Sequence, residues 1–359
     1  MPPTNIAEVP TPVPAGKATL GLIESWDLDE YTSQVGPWEV RLDKMSSGAF
    51  HSRMRFLKIP GITLYDECWE HHVVVRGSPP EGLVMLATSI NPQSSDVHWC
   101  GQALGEQVFA CADGRSDIDF IMPSRAHDAV LLMEPELFEQ ALGASARESV
   151  NAVKHAVFDK DAGAALANTM TALLNRYHSN PALADEVNQA NEIKSQLLLA
   201  LDNCFSSNQP IDLSRDLRAA ALQRALQHIE TSRGKTTAWD LARHSGVSQR
   251  TLEHFFKQEF ALTPGRYLAK SRLNRCYHDL YHANPDEDTV TRIATDWGFS
   301  HLGRFSGAYR KQFGELPSQT FGKARAGTRR AQLAPMQAQR RCEFRHSGSL
   351  MSPYHGEAL

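Results

Sequence analysis

The sequence lacks the apolar run of about 20 residues that a membrane-spanning helix needs. Its start, MPPTNIAEVPTPVPAG, also lacks the basic and apolar segments of a secretory signal. Cysteine is scarce, with 6 among 359 residues and no C-x-x-C pair, which argues against a disulfide framework or a cysteine zinc cluster. Hydrophobic residues at 42% and charged residues at 22% are typical of a globular protein. We therefore expect a soluble, cytoplasmic protein without a membrane partner.

Charge is nearly balanced over the whole chain, with a formal net charge of −4, but the two signs are unevenly distributed. Residues 218–322 contain 15 Lys and Arg against 10 Asp and Glu, and residues 323–359 contain 7 against 2. Residues 1–217 contain 15 against 29 and are therefore strongly acidic. A basic C-terminal part predicts contact with a polyanion such as nucleic acid, although a solvated surface can produce the same bias.

The composition predicts an α+β protein of several domains. A Pro-rich, disordered start (1–20) precedes a β-rich domain (21–133), a helical connector (134–205), an all-α domain (218–322) and a disordered basic tail (323–359). The β-rich domain has about eight short apolar runs between turn signals, too closely spaced for crossover helices. This spacing predicts an antiparallel, β-barrel or cupin-like domain.

The connector contains one regular apolar stripe. Its members recur at three- and four-residue spacing and are Leu183, Val187, Ala190, Ile193, Leu197 and Leu201. Such spacing predicts an amphipathic helix. The stripe could pack on the β-rich domain or against the same helix of a second chain, in which case the connector would form a dimer.

The all-α domain contains a repeated unit. The first copy is LARHSGVSQRTLEHFFKQEFALTP, and the second is IATDWGFSHLGRFSGAYRKQFGELP. Leu241 and Ile293 begin the two copies, which stay aligned after one inserted residue. Self-similarity of this kind indicates two copies of one supersecondary unit.

Each copy has the local features of a helix-turn-helix. Gly246 and Gly298 follow a short helix at the position where a residue with positive φ ends it. Ser248 is then placed to cap the next helix by accepting hydrogen bonds from its first N–H groups. One such copy is compatible with any tight helical hairpin, but two copies favour a double helix-turn-helix.

The second helix of each copy has an apolar stripe and an opposite polar face. The stripes are formed by Leu252, Phe255 and Phe256 in one copy and by Phe305, Tyr309 and Phe313 in the other. The spacing predicts that each stripe packs inward and leaves the polar face exposed.

These motifs resemble the DNA-binding domain of the AraC/XylS family of transcriptional regulators, over residues 218–322. The most specific part is the pattern I-A-x-x-x-G-F-x-x-x-x-x-F-x-x-x-[FY]-[RK]-x-x-F-G-x-x-P, from Ile293 to Pro317. Leu262-Thr263-Pro264, at the start of a connecting helix, is also similar to the family. The resemblance implies that two recognition helices enter successive major grooves of duplex DNA. It also implies an effector-responsive activator, with a small-molecule effector, RNA polymerase and a second copy of the chain as partners.

By motif position, two sets of residues are similar to the base-contacting positions of the family. The first set is Gln249, Arg250 and His254, and the second is Leu302, Gly303, Arg304 and Gly307. Arg binds guanine and Gln binds adenine through two hydrogen bonds each. The second set departs from the family pattern, because two of its positions are glycines and Leu302 offers only apolar contact.

Basic residues further along the two helices are better placed for phosphates, which fix register without specifying sequence. These residues are Lys257, Arg310 and Lys311. Glu253 lies four residues before Lys257, so we expect these two side chains to pair on the helix surface.

The β-rich domain offers two candidates for effector binding. Alternation along a strand from Tyr65 to Val75 would place Trp69 and His71 on one face, where they could line a cavity. The other interpretation of His71 is a hydrogen-bonded core histidine. By analogy with the family, this domain senses the effector and helps the protein to dimerise.

The alternative from another class is a metal-dependent β-barrel enzyme, or a metal sensor, with an appended DNA-binding module. The His-x-His pair with a following Glu that a cupin metal site would show is absent, and the nearest approaches are His98-x-Cys100 and Cys111-x-Asp113. The sequence contains no G-x-S-x-G, P-loop or dinucleotide motif between a strand and a helix. We therefore expect no enzymatic activity and no cofactor.

Overall fold

A computed structural model describes most of the chain. The described residues are 17–35, 38–90, 98–99, 102–103, 108–111, 118–143, 156–158, 160–186, 188–206, 211–212, 217–232 and 235–324. The disorder expected for 1–20 and 323–359 therefore falls largely outside them. Within them, Thr19 already begins a strand and residues 317–324 are helical.

The strands lie in the N-terminal part of the chain, up to residue 212. They are β1 (Thr19–Ser25), β2 (Glu39–Lys44), β3 (Ser52–Ile59), β4 (Ile62–Trp69), β5 (Val73–Ser78), β6 (Val84–Ser89), β7 (His98–Trp99), β8 (Gln102–Ala103), β9 (Val108–Cys111), β10 (Ile118–Met122), β11 (Ala126–Met133), β12 (Ala156–Phe158) and β13 (Ile211–Asp212).

The helices follow or interrupt these strands. They are α1 (Leu28–Gln34), α2 (Pro135–Leu142), α3 (Lys160–Ser179), α4 (Gln189–Ser206), α5 (Leu217–Thr231), α6 (Ala238–Ser245), α7 (Gln249–Phe260), α8 (Pro264–Tyr281), α9 (Val290–Asp296) and α10 (Leu302–Phe313), with a 3-10 turn at Pro181–Asp185. No helix in the described ranges is both long and apolar enough to span a membrane.

The strands form two antiparallel sheets. The larger has the order β1-β3-β4-β11-β6-β9-β12-β13, and the smaller has the order β2-β5-β10-β7-β8. The predicted antiparallel β domain is confirmed, but the described strands do not close into a barrel. The helical connector also contributes β12, which pairs with β9 and β13. Its three residues are too few to reveal a strand in the sequence.

The strand predicted from Tyr65 to Val75 is wrong, because the chain bends between β4 and β5. β4 ends at Trp69, and β5 begins at Val73. Backbone N–H groups of Met45 and Ser46 donate to the carbonyl of His72, which holds the bend. Alternation therefore does not continue from Trp69 to His71.

The stripe of the connector packs within the chain. Ile193, Leu197 and Leu201 of α4 are buried in one cluster with α3 and with Leu64, Leu86 and Leu131 of the larger sheet. These strands place apolar residues on the covered face because side chains alternate along a strand. Of the two interpretations, the described residues of the stripe support packing on the β domain; Val187 lies outside them.

The chain forms two compact units, one of Met1–Asn274 with Lys311–Gly314 and the other of Arg275–Arg310 with Glu315–Leu359. The first unit contains both sheets and the helices up to the first part of α8. Within it, α5, α6, α7 and α8 share an apolar cluster with Met45, Val74 and Ile121 of the β domain. The second unit contains α9 and most of α10.

Candidate nucleic-acid interface

The first helix-turn-helix, formed by α6 and α7, is set by local hydrogen bonds. The Thr237 hydroxyl accepts from Asp240 N–H at 3.2 Å, and Thr237 N–H donates to the Asp240 carboxylate at 3.1 Å. The Thr237 hydroxyl also donates to the Asp240 carboxylate at 2.7 Å, and this bond together with that from Thr237 N–H holds the pKa of Asp240 below its usual value. Gly246 ends α6 with φ of +71°, as predicted. The Ser248 hydroxyl accepts from Thr251 N–H at 3.1 Å and so caps α7, as predicted.

The turn between α6 and α7 is also held by a side chain that the sequence interpretation missed. Arg224 of α5 donates to the carbonyl oxygen of Ser245 from Nε at 3.1 Å and from Nη2 at 2.6 Å. Carbonyls at a helix C-terminus lack intrahelical donors, so a cation there is favourable. Arg224 therefore fixes the angle at which α7 leaves the turn.

Burial of α7 on one side leaves its polar side exposed. Leu252, Phe256 and Phe260 are buried, and the Phe256 ring lies 5.4 Å from the Tyr267 ring, centroid to centroid. The predicted DNA-contacting residues of this helix, Gln249, Arg250, His254 and Lys257, are all exposed. Lys257 Nζ lies 2.9 Å from Glu253 Oε1, which confirms the predicted pair.

The second helix-turn-helix, formed by α9 and α10, also has a capped first helix, a glycine with positive φ at its turn and a buried aromatic stripe. The Thr289 hydroxyl caps α9 by accepting from Arg292 N–H at 3.1 Å. Gly298 at the turn has φ of +83°, and the Trp297 indole donates to Asp279 Oδ2 at 2.7 Å. Phe305 and Tyr309 are buried, with ring centroids 5.5 Å apart.

The outward side of α10 carries the second set of predicted residues. Exposed there are Leu302, Gly303, Arg304, Gly307, Arg310 and Lys311. A Cβ added at Gly303 or Gly307 would meet no atom within 4 Å, so internal packing does not explain these glycines. Glycine inside a helix costs up to about 1 kcal/mol relative to alanine.

Two exposed residues on the surface of α6 were not predicted. Trp239 is 59% exposed, and the Arg243 guanidinium lies 5.1 Å from the centroid of its ring. A cation held on an aromatic ring at a helix surface can contact a phosphate without losing that packing. Both lie in the first helix of the motif, which crosses the backbone in helix-turn-helix complexes.

The candidate effector residues take different positions in the β domain. Trp69 lines a cavity between the two sheets, together with Tyr65 and Val75. His71 is not among the described lining residues; its Nδ1 lies 2.9 Å from Ser46 Oγ. The sequence interpretation missed Glu67 and Asp128, which also line the cavity. Glu67 has the same strand parity as Tyr65 and Trp69, so alternation could have found it.

Comparison with known proteins agrees with this geometry. Residues 241–323 match a family model described as a helix-turn-helix domain. Over 83 residues, the chain is 42% identical to the "Probable thc operon regulatory protein" of Rhodococcus erythropolis, covering 23% of this chain and 25% of that protein. Over 101 residues, it is 35% identical to the "XylDLEGF operon transcriptional activator" of Pseudomonas putida, covering 28% and 32%.

One solved structure is similar over part of the chain. The chain is similar to a probable AraC family transcriptional regulator from Rhodopseudomonas palustris at 32% identity, with a TM-score of 0.27, covering 29% of this chain and 96% of that one. The two matched regions above span about a quarter to a third of the curated relatives' lengths. Each of these matches covers less than a third of this chain.

Fold, exposed face and sequence matches define this region as a helix-turn-helix DNA-binding domain. The C-terminal domain is of the AraC/XylS type, as the resemblance of its repeated unit predicted.

Proposed function

We propose that the chain is a sequence-specific transcriptional regulator that acts in the cytoplasm as an effector-responsive activator. The observation that carries this proposal is the pair of helix-turn-helix motifs, each with a buried apolar side and an exposed polar side on its second helix. A polar face of this kind fits the major groove, where Arg and Gln distinguish base pairs.

In this proposal the two recognition helices, α7 and α10, enter successive major grooves on one side of the duplex. Gln249, Arg250 and His254 contact bases in one groove, and Arg304 does so in the next. Leu302, Gly303 and Gly307 let α10 approach closely. Lys257, Arg310 and Lys311 bind phosphates. The domains proposed for these tasks are residues 218–322 for DNA and 21–133 for the effector, with 134–205 as connector.

A barrel-like arrangement of the two sheets is supported by the cavity, because its lining comes from both. Val40, Val75 and Phe120 belong to the smaller sheet, and Tyr65 and Trp69 belong to the larger. Small-molecule sites are concave, mostly apolar, and contain few polar groups. We propose this cavity as the effector site, with RNA polymerase and a second copy of the chain as further partners.

The described cavity does not favour the metal-dependent alternative. Its lining contains two carboxyl side chains but neither histidine nor cysteine among the described residues. Metal sites of enzymes use three or more protein ligands, most often with an imidazole or a thiolate. Metal analysis of the purified protein separates the two functions: a bound stoichiometric metal would favour the alternative.

DNA binding by the full-length protein tests the proposal. We expect affinity for duplex DNA to fall steeply with salt, with a slope of log K against log salt near −0.9 per phosphate contact. Lys257→Ala should make this slope shallower by about 1. Glu253→Ala is the matched control, because it removes the partner of Lys257 and leaves the cation. Affinity independent of salt would contradict the assignment of phosphate contacts.

A further inference from the structure

The cavity between the two sheets combines aromatic rings with two acidic side chains. Tyr31, Trp38, Tyr65, Trp69 and Phe120 supply the rings, and Glu67 and Asp128 supply the carboxyl groups. The cavity volume is about 50 Å³, below the ~300–1,000 Å³ of pockets that enclose drug-sized ligands. The occupant is therefore a molecule or head group of a few heavy atoms.

Each of the two carboxyl groups receives one hydrogen bond from an aromatic residue of the cavity. The Tyr31 hydroxyl donates to Glu67 Oε1 at 2.9 Å, and the Trp69 indole N–H donates to Asp128 Oδ1 at 2.9 Å. In the part of the chain that the structure describes, neither carboxyl forms an ion pair with Lys or Arg. Asp128 is only 8% exposed. The two acids thus share a mostly apolar space.

The neighbouring carboxyl on β4 has the opposite environment. Asp66 pairs with Arg55, whose Nε lies 2.9 Å from Asp66 Oδ1, and with His127 at 3.3 Å. Although burial raises its pKa, these partners bring the pKa of Asp66 down to about 2. Among the described residues, the carboxyl outside the cavity therefore has an arginine partner and the two inside have none, although the charge of His127 lowers the pKa of Asp128.

Burial determines the charge of the two cavity acids. It raises the pKa of Glu67 to about 7, against the lowering effect of the Tyr31 hydrogen bond and with a further rise from Asp66. Burial and the proximity of Glu67 raise the pKa of Asp128 well above its usual value. The titratable groups near Glu67 are Tyr31 on α1, Tyr65 and Asp66 on its own strand and Asp128 on β11. For Asp128, the charge of His127 acts in the opposite direction and lowers the pKa. An incoming cation would offset the cost of ionising them.

We infer that the cavity binds a small organic cation, a protonated or quaternary ammonium group on a short apolar body. This inference rests on the proposed function, since it names the chemical class of the proposed effector. The carboxylates of Glu67 and Asp128 would face the ammonium group, and the rings of Trp38, Tyr65 and Trp69 would pack around it through cation–π contacts. An anion would be repelled by the two carboxylates. A neutral ligand would not offset the free-energy cost of ionising these buried groups.

Three isosteric probes test the inference on the full-length protein at pH 8: n-propylammonium chloride, 1-propanol and sodium propionate. We expect propylammonium to raise the thermal unfolding midpoint progressively with its concentration and to bind about tenfold or more tightly than 1-propanol. Propionate should have no effect. Below pH 7, propylammonium affinity should fall by up to about tenfold per pH unit, because Glu67 must lose a proton to pair with it.

Glu67→Gln and Asp128→Asn keep the shape and the hydrogen-bond acceptors of the cavity. Each should weaken propylammonium binding by about tenfold or more, whereas Glu39→Gln, at an exposed position, should not. A group whose pKa is raised on folding contributes stability at low pH that is lost as the pH rises through its folded pKa. Glu67→Gln should therefore unfold at a higher temperature than wild type at pH 8. If Glu67 only stabilised the fold, Glu67→Gln would instead unfold at a lower temperature than wild type.

The possible results separate the ligand class from the proposed function. Equal binding of propylammonium and 1-propanol, binding of propionate, or no binding of any probe would overturn the cation site and leave the regulator proposal intact. If propylammonium binds as expected but DNA affinity does not change at saturation, the cation site is supported and the effector response fails.

Discussion

Arg250→Ala and Arg304→Ala are each expected to weaken binding to the preferred DNA site by about 1–3 kcal/mol, roughly 5- to 150-fold, and to relax preference at one base position. Both arginines are exposed on the polar side of a recognition helix, α7 or α10. In the proposed complex, each substitution removes a bidentate contact to guanine and leaves the core unchanged. The measurement is an affinity series on the preferred site, on single-base variants of it and on random duplex.

Lys257→Ala and Lys311→Ala are the matched controls for the two arginines. Both lysines are exposed on the same helices, further from the N-terminus. As phosphate contacts they should weaken binding to all sequences alike. If all four variants lost the same affinity on preferred and random DNA, α7 and α10 would not enter the grooves as proposed.

The double variant Asn274→Ala, Gln312→Ala is expected to destabilise the first unit strongly. Asn274 Oδ1 accepts from Lys44 N–H at 2.9 Å, and Gln312 Nε2 donates to the carbonyl oxygens of Lys44 and Ser46 at 2.6 and 2.9 Å. All of these residues except Ser46 are buried. Buried backbone groups left without partners cost about 1–3 kcal/mol each. A lower thermal midpoint and faster hydrogen exchange of the Lys44 amide should follow.

Asn191→Ala with Gln223→Ala is the control, because it makes the same two substitutions at exposed helical positions. It should change the midpoint and the exchange of Lys44 little. If the double variant at Asn274 and Gln312 behaved like this control, the contact between β2 and the helical domain would not stabilise the first unit.

The helix-turn-helix could be predicted from the sequence because its signals are local. Gly246 at the turn, Ser248 at the cap and the Leu252 and Phe256 stripe all lie within one short segment, and each acts through a residue a few positions away. Local hydrogen bonding and helical periodicity therefore determine this motif.

The cavity and the sheet order depend on contacts far apart in the chain. The bend after Trp69 interrupts an apolar run that alternates like one strand, and hydrogen bonds from Met45 and Ser46 to the His72 carbonyl hold it. Asn274 bonds to Lys44 across 230 positions. Residue periodicity contains no information about such distant pairs. Strand alternation therefore predicted that Trp69 lines the cavity but could not predict that Glu67 and Asp128 both line it.

Sequence-specific binding can be tested by selecting bound duplexes from a random pool with the full-length protein and by hydroxyl-radical footprinting on the selected site. We expect a selected sequence with two protected segments on one side of the duplex, separated by about one helical turn of 10–10.5 base pairs. Arg250→Ala should abolish the base preference within one protected segment, and Arg304→Ala should abolish it within the other. A pool that remains random, or protection that neither arginine affects, would contradict sequence-specific binding by the two recognition helices.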